Sequence, residues 1–208
     1  MGLIYLVRHA ESEHNVSKDF SHRDPPLTSL GITQATALRT TFPSVPIETV
    51  ITSPLTRAIE TTIAGFTPVI DKSYIGDEGK HGGARLILDR DLQERSDLPC
   101  DTGSDVVLLK DRFPGISFGV LEGDGNWWEK EGEHGASDEV VKGRAERVRK
   151  RLSRLAEEFG GNVVVVTHGV FMKFLSEDEN IDLPKAGWKA FKAEQQEEGR
   201  VRLVAASG

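Results

Sequence analysis

Two short apolar segments, far apart in the chain, end in the same way. Residues 3–7 read Leu-Ile-Tyr-Leu-Val and run straight into Arg8-His9, while the four valines at 163–166 run into Thr167-His168-Gly169. Each is short and free of polar breaks, as expected for a strand covered on both faces. Strands of that kind belong to parallel sheets flanked by helices, where ligand sites form at the carboxyl ends of the strands. If the two strands are neighbours, His9 and His168 meet there with Arg8 beside them. An imidazole next to a guanidinium suits a phosphate group.

The intervening sequence alternates between helical and strand patterns. Residues 27–42 place Leu30, Ala35, Leu38 and Phe42 on a helix face, with Thr28 as N-cap and Pro43 as stop. Residues 49–52 read as a short strand, and Ser53-Pro54 as a helix start with serine at the cap and proline at the first position. Residues 86–88 are a third short strand. The clearest helix is 138–159, where Val141, Ala145, Val148, Leu152, Leu155 and Phe159 recur at steps of four and three before Gly160-Gly161. Its other face carries Lys142, Arg144, Arg147, Arg149, Lys150, Arg151 and Arg154, and reads as solvated. Residues 163–167 form a central strand and 201–204 an edge strand. The alternation predicts an α/β fold, a three-layer α/β/α sandwich with a mostly parallel central sheet, as one domain over residues 1–208. Residues 71–84 read as a surface loop. Residues 115–135 read as a loop around Trp127-Trp128, of the length used for lids.

Composition narrows the partners. The 208 residues carry a formal net charge of −7, which argues against nucleic acid or an anionic membrane as partner. No apolar run approaches the ~20 residues needed to span a bilayer, and the first strand has no basic segment before it. The single cysteine excludes an internal disulfide and points to a reducing, cytoplasmic setting. Whether the chain works alone or as a homodimer stays open.

Several further polar residues can serve a phosphate site. Arg57 follows the strand at 49–52 on the first turn of the next helix, where the helix terminus also favours an anion. Asn15 and Ser12 lie shortly after His9 and could donate to phosphate oxygens or act as turn and cap residues. Glu94 follows the strand at 86–88 and is the best-placed carboxyl for proton transfer. Rival chemistries lack their signatures: six residues after Cys100 stands Val106 instead of the arginine of a cysteine phosphatase. Neither nucleotide-cradling glycine motif occurs, and the histidine spacings match no zinc pattern. Cys100 then reads as a pocket or packing thiol.

Taken in order, five strings resemble one family. They are residues 6–15 (LVRHAESEHN), 26–35 (PLTSLGITQA), 53–61 (SPLTRAIET), 92–94 (LQE) and 166–169 (VTHG), with Gly187-Trp188 similar to the family's C-terminal region. Together they resemble the histidine phosphatase superfamily, in its phosphoglycerate mutase-like branch, over residues 3 to 176. Ala10 stands where that family usually has glycine. The resemblance implies a metal-independent, cofactor-free phosphomonoesterase acting on a small phosphorylated metabolite and releasing inorganic phosphate. In it His9 is the nucleophile that forms a phosphohistidine, and Glu94 the acid and then base. Arg8, Arg57 and His168 hold the phosphoryl oxygens, with Asn15, Ser12 and Gly169 assisting. For His9 to attack it must be neutral, whereas His168 serves best as a cation, so their pKa values are expected to diverge. A mutase needs additional cations for a second anionic group, and residues 95–105 offer one arginine against three aspartates. Hydrolysis is therefore the expectation, with a mutase-type phosphotransferase or a catalytically silent binding protein as alternatives. Phe118, Trp127 and Trp128 are expected to cap the site, Trp127 contacting the leaving group; failing that, selectivity falls to residues 16–24 and 100–105.

Overall fold

The run of four valines at 163–166 sits at the centre of a six-stranded sheet. The computed structural model describes residues 2–123, 126–158 and 160–206. In chain order the elements are β1 (Ile4–Arg8), α1 (Glu13–Ser17), α2 (Ser29–Thr41), β2 (Ile47–Thr52), α3 (Thr56–Phe66), α4 (Lys72–Ile75) and β3 (Arg85–Leu88). There follow α5 (Val106–Arg112), α6 (Asp138–Glu158), β4 (Asn162–Thr167), α7 (Gly169–Ser176), β5 (Trp188–Gln195) and β6 (Val201–Ala205). The strand order is β3-β2-β4-β1-β5-β6. The first four strands are parallel, and β5 and β6 add an antiparallel extension beside β1. The sheet is thus mostly parallel with helices on both faces, as the alternation predicts.

Alternation along each strand divides the core into two layers. Tyr5, Val7, Val50, Val164 and Val166 face Leu38 of α2 and Ile59 of α3. Ile4, Leu6, Ile51, Val163 and Val165 face Val141, Val148 and Leu152 of α6 and Phe171 and Leu175 of α7. Most of these side chains are fully buried, each contributing about 1.5–3 kcal/mol relative to exposure. The strands are apolar throughout because both their faces are covered.

Local corrections have local causes. Thr28 caps α2 as expected, its hydroxyl accepting from the Gly31 amide at 2.9 Å. Leu30, however, is 55% exposed, and the buried positions of α2 are Gly31, Ala35 and Leu38. Helix α3 begins at Thr56, with Leu55 and not Ser53 at its cap. The Ser53 hydroxyl is instead 2.9 Å from His168 Nε2, so the serine belongs to the sheet edge. Within residues 71–84, Asp71 caps the short α4 and bridges tie Ile70 to Ala84 and Asp71 to Lys80. Phe159, expected to close the long helix, lies outside the described residues. Strand β5 escapes a periodicity reading because its Lys, Ala, Glu and Gln favour helices, while pairing with β1 decides otherwise.

The basic face of α6 is the largest departure. Arg144 is fully buried and Arg149 nearly so. Arg147 and Arg151 reach back to Asp91, and Arg151 also to Asp89, in the turn that follows β3. The Arg144 guanidinium lies 4.5 Å above the Phe171 ring and donates to the Glu94 carbonyl at 3.4 Å. This face grips the segment leading to Glu94.

Helix α2 approaches the end of β1 closely enough that a Cβ at Gly31 would stand 1.9 Å from the Glu11 carbonyl oxygen. That oxygen accepts the Thr28 amide at 3.0 Å. Gly31→Ala must therefore displace backbone beside the first histidine. We expect a loss of about 1–3 kcal/mol in thermal or denaturant unfolding; an unchanged midpoint would show that α2 can shift freely.

Candidate active site

Level pairing of β1 and β4 brings the two histidines together. Ile4 to Arg8 pair with Val163 to Thr167 in register, and the His9 amide donates to the Thr167 carbonyl at 2.9 Å. The rings of His9 and His168 have centroids 5.1 Å apart. On the other side of β4, the Ser53 amide at the end of β2 donates to the Val166 carbonyl at 3.0 Å. Three strand ends therefore converge on one point, with Glu94 brought in by the turn after β3.

His9 has a defined tautomer when neutral. Its Nδ1 is 2.7 Å from the Ala10 carbonyl oxygen, which can only accept, so Nδ1 carries the proton and Nε2 the free lone pair. Burial, with Arg57 and Lys185 nearby, holds its pKa well below the ordinary value. Ala10 causes no obstruction: its amide donates to the Thr61 hydroxyl at 3.0 Å and its side chain packs with Leu27 and Ala35. His168 is fully buried behind this ring and does not line the cavity. Burial and Arg57 push its pKa well down too. The expected divergence of the two imidazoles is therefore absent from the protein alone. A phosphoryl group arriving beside them would supply the negative charge that raises the pKa of His168.

Cations frame a cavity of about 570 Å³ whose wall includes Arg8, His9, Asn15, Arg57, Glu94 and Gly169. Arg57 is 1% exposed, donating to the Cys100 carbonyl at 2.7 Å and to Asp101 Oδ1 at 2.6 Å. A buried guanidinium needs such a counter-charge, since leaving it alone would be costly. Arg8 donates to Asp182 Oδ1 at 2.8 Å. A Cβ at Gly169 would come within 3.1 Å of the Arg8 guanidinium, so glycine there lets Arg8 lie against the start of α7. Cys100 lines the cavity, and burial beside Asp101 pushes its thiol up to about 11, which keeps it protonated and inert.

The carboxylate of Glu94 is fixed by backbone. It accepts from the Phe171 amide at 2.8 Å, the Val170 amide at 3.1 Å and its neighbour Arg95 at 2.8 Å, capping the first turn of α7. Behind it the Glu94 carbonyl receives Lys130 Nζ at 2.7 Å. Burial and the adjacent Arg144 push Lys130 down to about 7.

Ser12 and Asn15 divide in their roles. Asn15 Nδ2 donates to His14 Nε2 at 2.9 Å, His14 Nδ1 then donates to Ser12 Oγ at 3.0 Å, and Ser12 Oγ donates to Asn15 Oδ1 at 3.0 Å. This closed ring uses the Ser12 hydroxyl and leaves Asn15 one amide hydrogen. Ser12 is fully buried and off the cavity wall, so the expected donor role is corrected to a structural one. His14, which the sequence reading passed over, lines the cavity, and burial with Arg57 nearby pushes it down to about 4. Lys185 was also missed, because nothing in its local sequence marks it.

The aromatic cap is corrected as well. Trp127 and Phe118 are buried in the core layer of α3, away from the cavity wall. The Trp127 ring lies on Gly103, and its Nε1 donates to the Ser104 carbonyl at 3.0 Å. Exposed apolar contact is offered instead by Phe20 and Leu98, each 46% exposed on the cavity rim. Phe20 lies in the first of the two segments held in reserve for selectivity, and Cys100 and Asp101 in the second.

The chain is similar to known proteins in sequence and in fold. Residues 4–71 match the model of the histidine phosphatase superfamily, branch 1. A probable phosphatase of Schizosaccharomyces pombe is 31% identical over 95% of this chain and 89% of its own length. A phosphoglycerate mutase-like protein of Arabidopsis thaliana is 27% identical, covering 81% of this chain and 71% of that one. Among solved structures, a putative alpha-ribazole-5'-P phosphatase of Escherichia coli superimposes with a TM-score of 0.61 at 21% identity, over 100% of this chain and 98% of that one.

Trp127→Ala removes a large, fully enclosed ring from the core. We expect it to cost about 3–5 kcal/mol of stability, measured by denaturant unfolding, with little selectivity for the size of the ester in whatever folded fraction remains. A stable variant with altered KM for bulky esters would restore the cap.

Proposed function

The chain belongs to the histidine phosphatase superfamily and is a phosphatase, and we propose that it hydrolyses small phosphomonoesters through a phosphohistidine on His9. The observation that carries this reading is the neutral His9, with Nε2 free, on the wall of a cavity that it shares with Arg8, Arg57 and Glu94.

In the first step the Nε2 lone pair attacks phosphorus while the bond to the leaving oxygen breaks. The Glu94 carboxyl gives its proton to that oxygen. One carboxyl oxygen has to turn from the start of α7 towards the leaving group for this. The Nδ1–H bond to the Ala10 carbonyl supports the positive charge the ring acquires. In the second step water attacks phosphorus, the N–P bond breaks, and the Glu94 carboxylate takes the water proton. Inorganic phosphate leaves and His9 regains its lone pair. Arg8 and Arg57, with the remaining amide hydrogen of Asn15, hold the non-bridging oxygens as charge builds on them. His168, 5.1 Å from His9 by ring centroids, gains a proton as the dianion arrives and adds positive charge from behind. Arginine and imidazolium supply the charge stabilisation, so these steps call on no metal or cofactor.

Hydrolysis fits the cavity better than phosphate return to a retained acceptor. Residues 95–105 present Asp97 and Asp101 to it alongside Arg95, and Asp101 is already committed to Arg57. A cytoplasmic setting suits the single reduced cysteine, and among the described residues no helix is long and apolar enough to cross a membrane.

Brief incubation with a labelled phosphomonoester and a rapid alkaline quench should trap acid-labile, base-stable label on His9. His9→Ala should lose both label and turnover; label on another residue, or full turnover in the variant, would falsify the assignment.

The depressed pKa of His9 sets the acid side of the pH profile. Protonation removes the nucleophile, and because the folded value lies well below 6.5 the neutral form persists below that pH. Once the titration of the ester itself is corrected for, the acid limb of kcat/KM should fall below pH 6.5. A limb at or above 6.5 would mean that His9 is not the group being titrated.

A further inference from the structure

Residues 182–187, between α7 and β5, lie against the Arg8-His9 dipeptide at several points. The Arg8 amide donates to the Gly187 carbonyl at 2.9 Å and the Ala186 amide to the His9 carbonyl at 3.5 Å. The Arg8 guanidinium holds both Asp182 and the Leu183 carbonyl. Lys185 stands between these anchors. The next residue, Ala186, has φ of 57°, a left-handed conformation disfavoured for a residue with a Cβ. Such a conformation persists where the surroundings fix it, often at a functional site.

Lys185 lines the catalytic cavity but has no hydrogen bond or ion pair with any described residue. The other cations nearest the nucleophile are matched: Arg8 with Asp182 and Arg57 with Asp101. Lys173 is also without an ion pair and lines this cavity too, but it is shared with a second cavity between α6 and α7. Lys185 is among the charges acting on both His9 and His14, whereas Lys173 is not among the principal ones. An ammonium held among like charges, beside the proposed nucleophile and in ion-pair contact with no described carboxylate, is arranged for an anion that arrives from outside.

We propose that Lys185 is a catalytic residue that binds a non-bridging oxygen of the transferring phosphoryl group from the side of the Arg8-His9 dipeptide. The proposal rests on the phosphatase reading above and deepens it. Asp182 and Asp101 offset much of the charge of Arg8 and Arg57, and of the two described side-chain cations that act most on His9, Arg57 and Lys185, only Lys185 has no ion-pair partner among the described residues. It strengthens the hold on a dianion and on the transition state, in which the equatorial oxygens carry the charge.

The charge of Lys185 is also titratable. Burial, followed by Arg8 and Arg57, pushes its pKa down to about 8, against the opposing pull of Glu94 and Glu11. The ammonium is present below that pH and lost above it, so phosphate affinity falls as pH rises through 8. Before phosphate binds, burial keeps His9, His14 and His168 neutral in this window. The proton His168 takes up with the dianion is common to wild type and Lys185→Met, so the difference between the two reports Lys185. The Cys100 thiol titrates only at about 11.

The test compares Lys185→Met, Lys185→Arg and wild type, each first checked for an unchanged melting transition. Inorganic phosphate is the probe, measured by calorimetry and as a competitive inhibitor between pH 7 and 10. We expect Lys185→Met to weaken phosphate at least about tenfold at pH 7, to lower kcat, and to flatten the pH dependence around 8. Lys185→Arg should restore most of the affinity and keep it above pH 8. Unchanged phosphate binding in Lys185→Met, even with a raised KM for an ester, would overturn the proposal by moving Lys185 to the leaving group. The two failures are separable: a wild type without phosphatase activity ends the underlying reading, whereas an active wild type with Lys185-independent phosphate binding removes Lys185 alone.

Discussion

Five residue pairs join β1 to β4, and their register determines where almost everything else can be. Side chains on a strand alternate with a period of two, so a slip of one residue would turn Tyr5 and Val7 from the α2–α3 face to the α6–α7 face. Both strands are buried on both sides, and such a slip would also separate the level ends that carry His9 and His168. Apolar packing therefore fixes the geometry of two polar residues that do not themselves contribute to the core. The hydrophobic effect has no direction of its own, yet through register it positions two imidazoles at a defined separation.

Around those strand ends, charge is buried in compensated units. Arg57 is tied to Asp101, and the charged face of α6 is tied to Asp89, Asp91 and the Glu94 carbonyl. Such pairs are poor sources of stability, because desolvation consumes much of the Coulombic gain. Their effect is positional: they hold the Arg57 guanidinium against residues 100–101 and keep the turn carrying Glu94 close to the start of α7. A core built only of apolar residues could not hold those groups in place.

Burial also acts on protons. Each of the three histidines near the cavity is held below its ordinary value, so the protein offers neutral imidazoles in a setting rich in guanidinium. Neutrality suits a nucleophile. For His168 the same burial makes its charge conditional on what enters the cavity, and in the proposed reaction that would couple phosphate binding to proton uptake.

Much of this was legible in the sequence, for reasons tied to particular residues. The uninterrupted apolar runs at 4–7 and 163–166 required a doubly covered parallel sheet, and the polar residues at their ends marked the candidate site. Thr28 could be read as a cap because capping depends on residues three apart. Local sequence also identified Arg57 and Glu94 as candidates, and the structure brings both to the cavity of His9. What it could not decide were contacts made at long range. Ser53 looked like a helix cap until β4 delivered His168 to its hydroxyl, and Ser12 looked like a donor until His14 and Asn15 closed a ring around it. Trp127, a lid by its glycine-rich context, became a core residue because Gly103, 24 positions earlier, leaves room for its ring. The basic stripe of α6 read as solvated because helical periodicity counts only neighbours on the same helix, whereas Asp91 and Asp89, which hold Arg147 and Arg151, lie more than 50 residues away. Lys185 had no motif at all; its place beside His9 exists only because residues 182–187 fold back onto β1. Sequence patterns with a period of two or 3.6 determine elements and their faces, whereas the pairing of charges between distant elements is decided only when the sheet has brought them together.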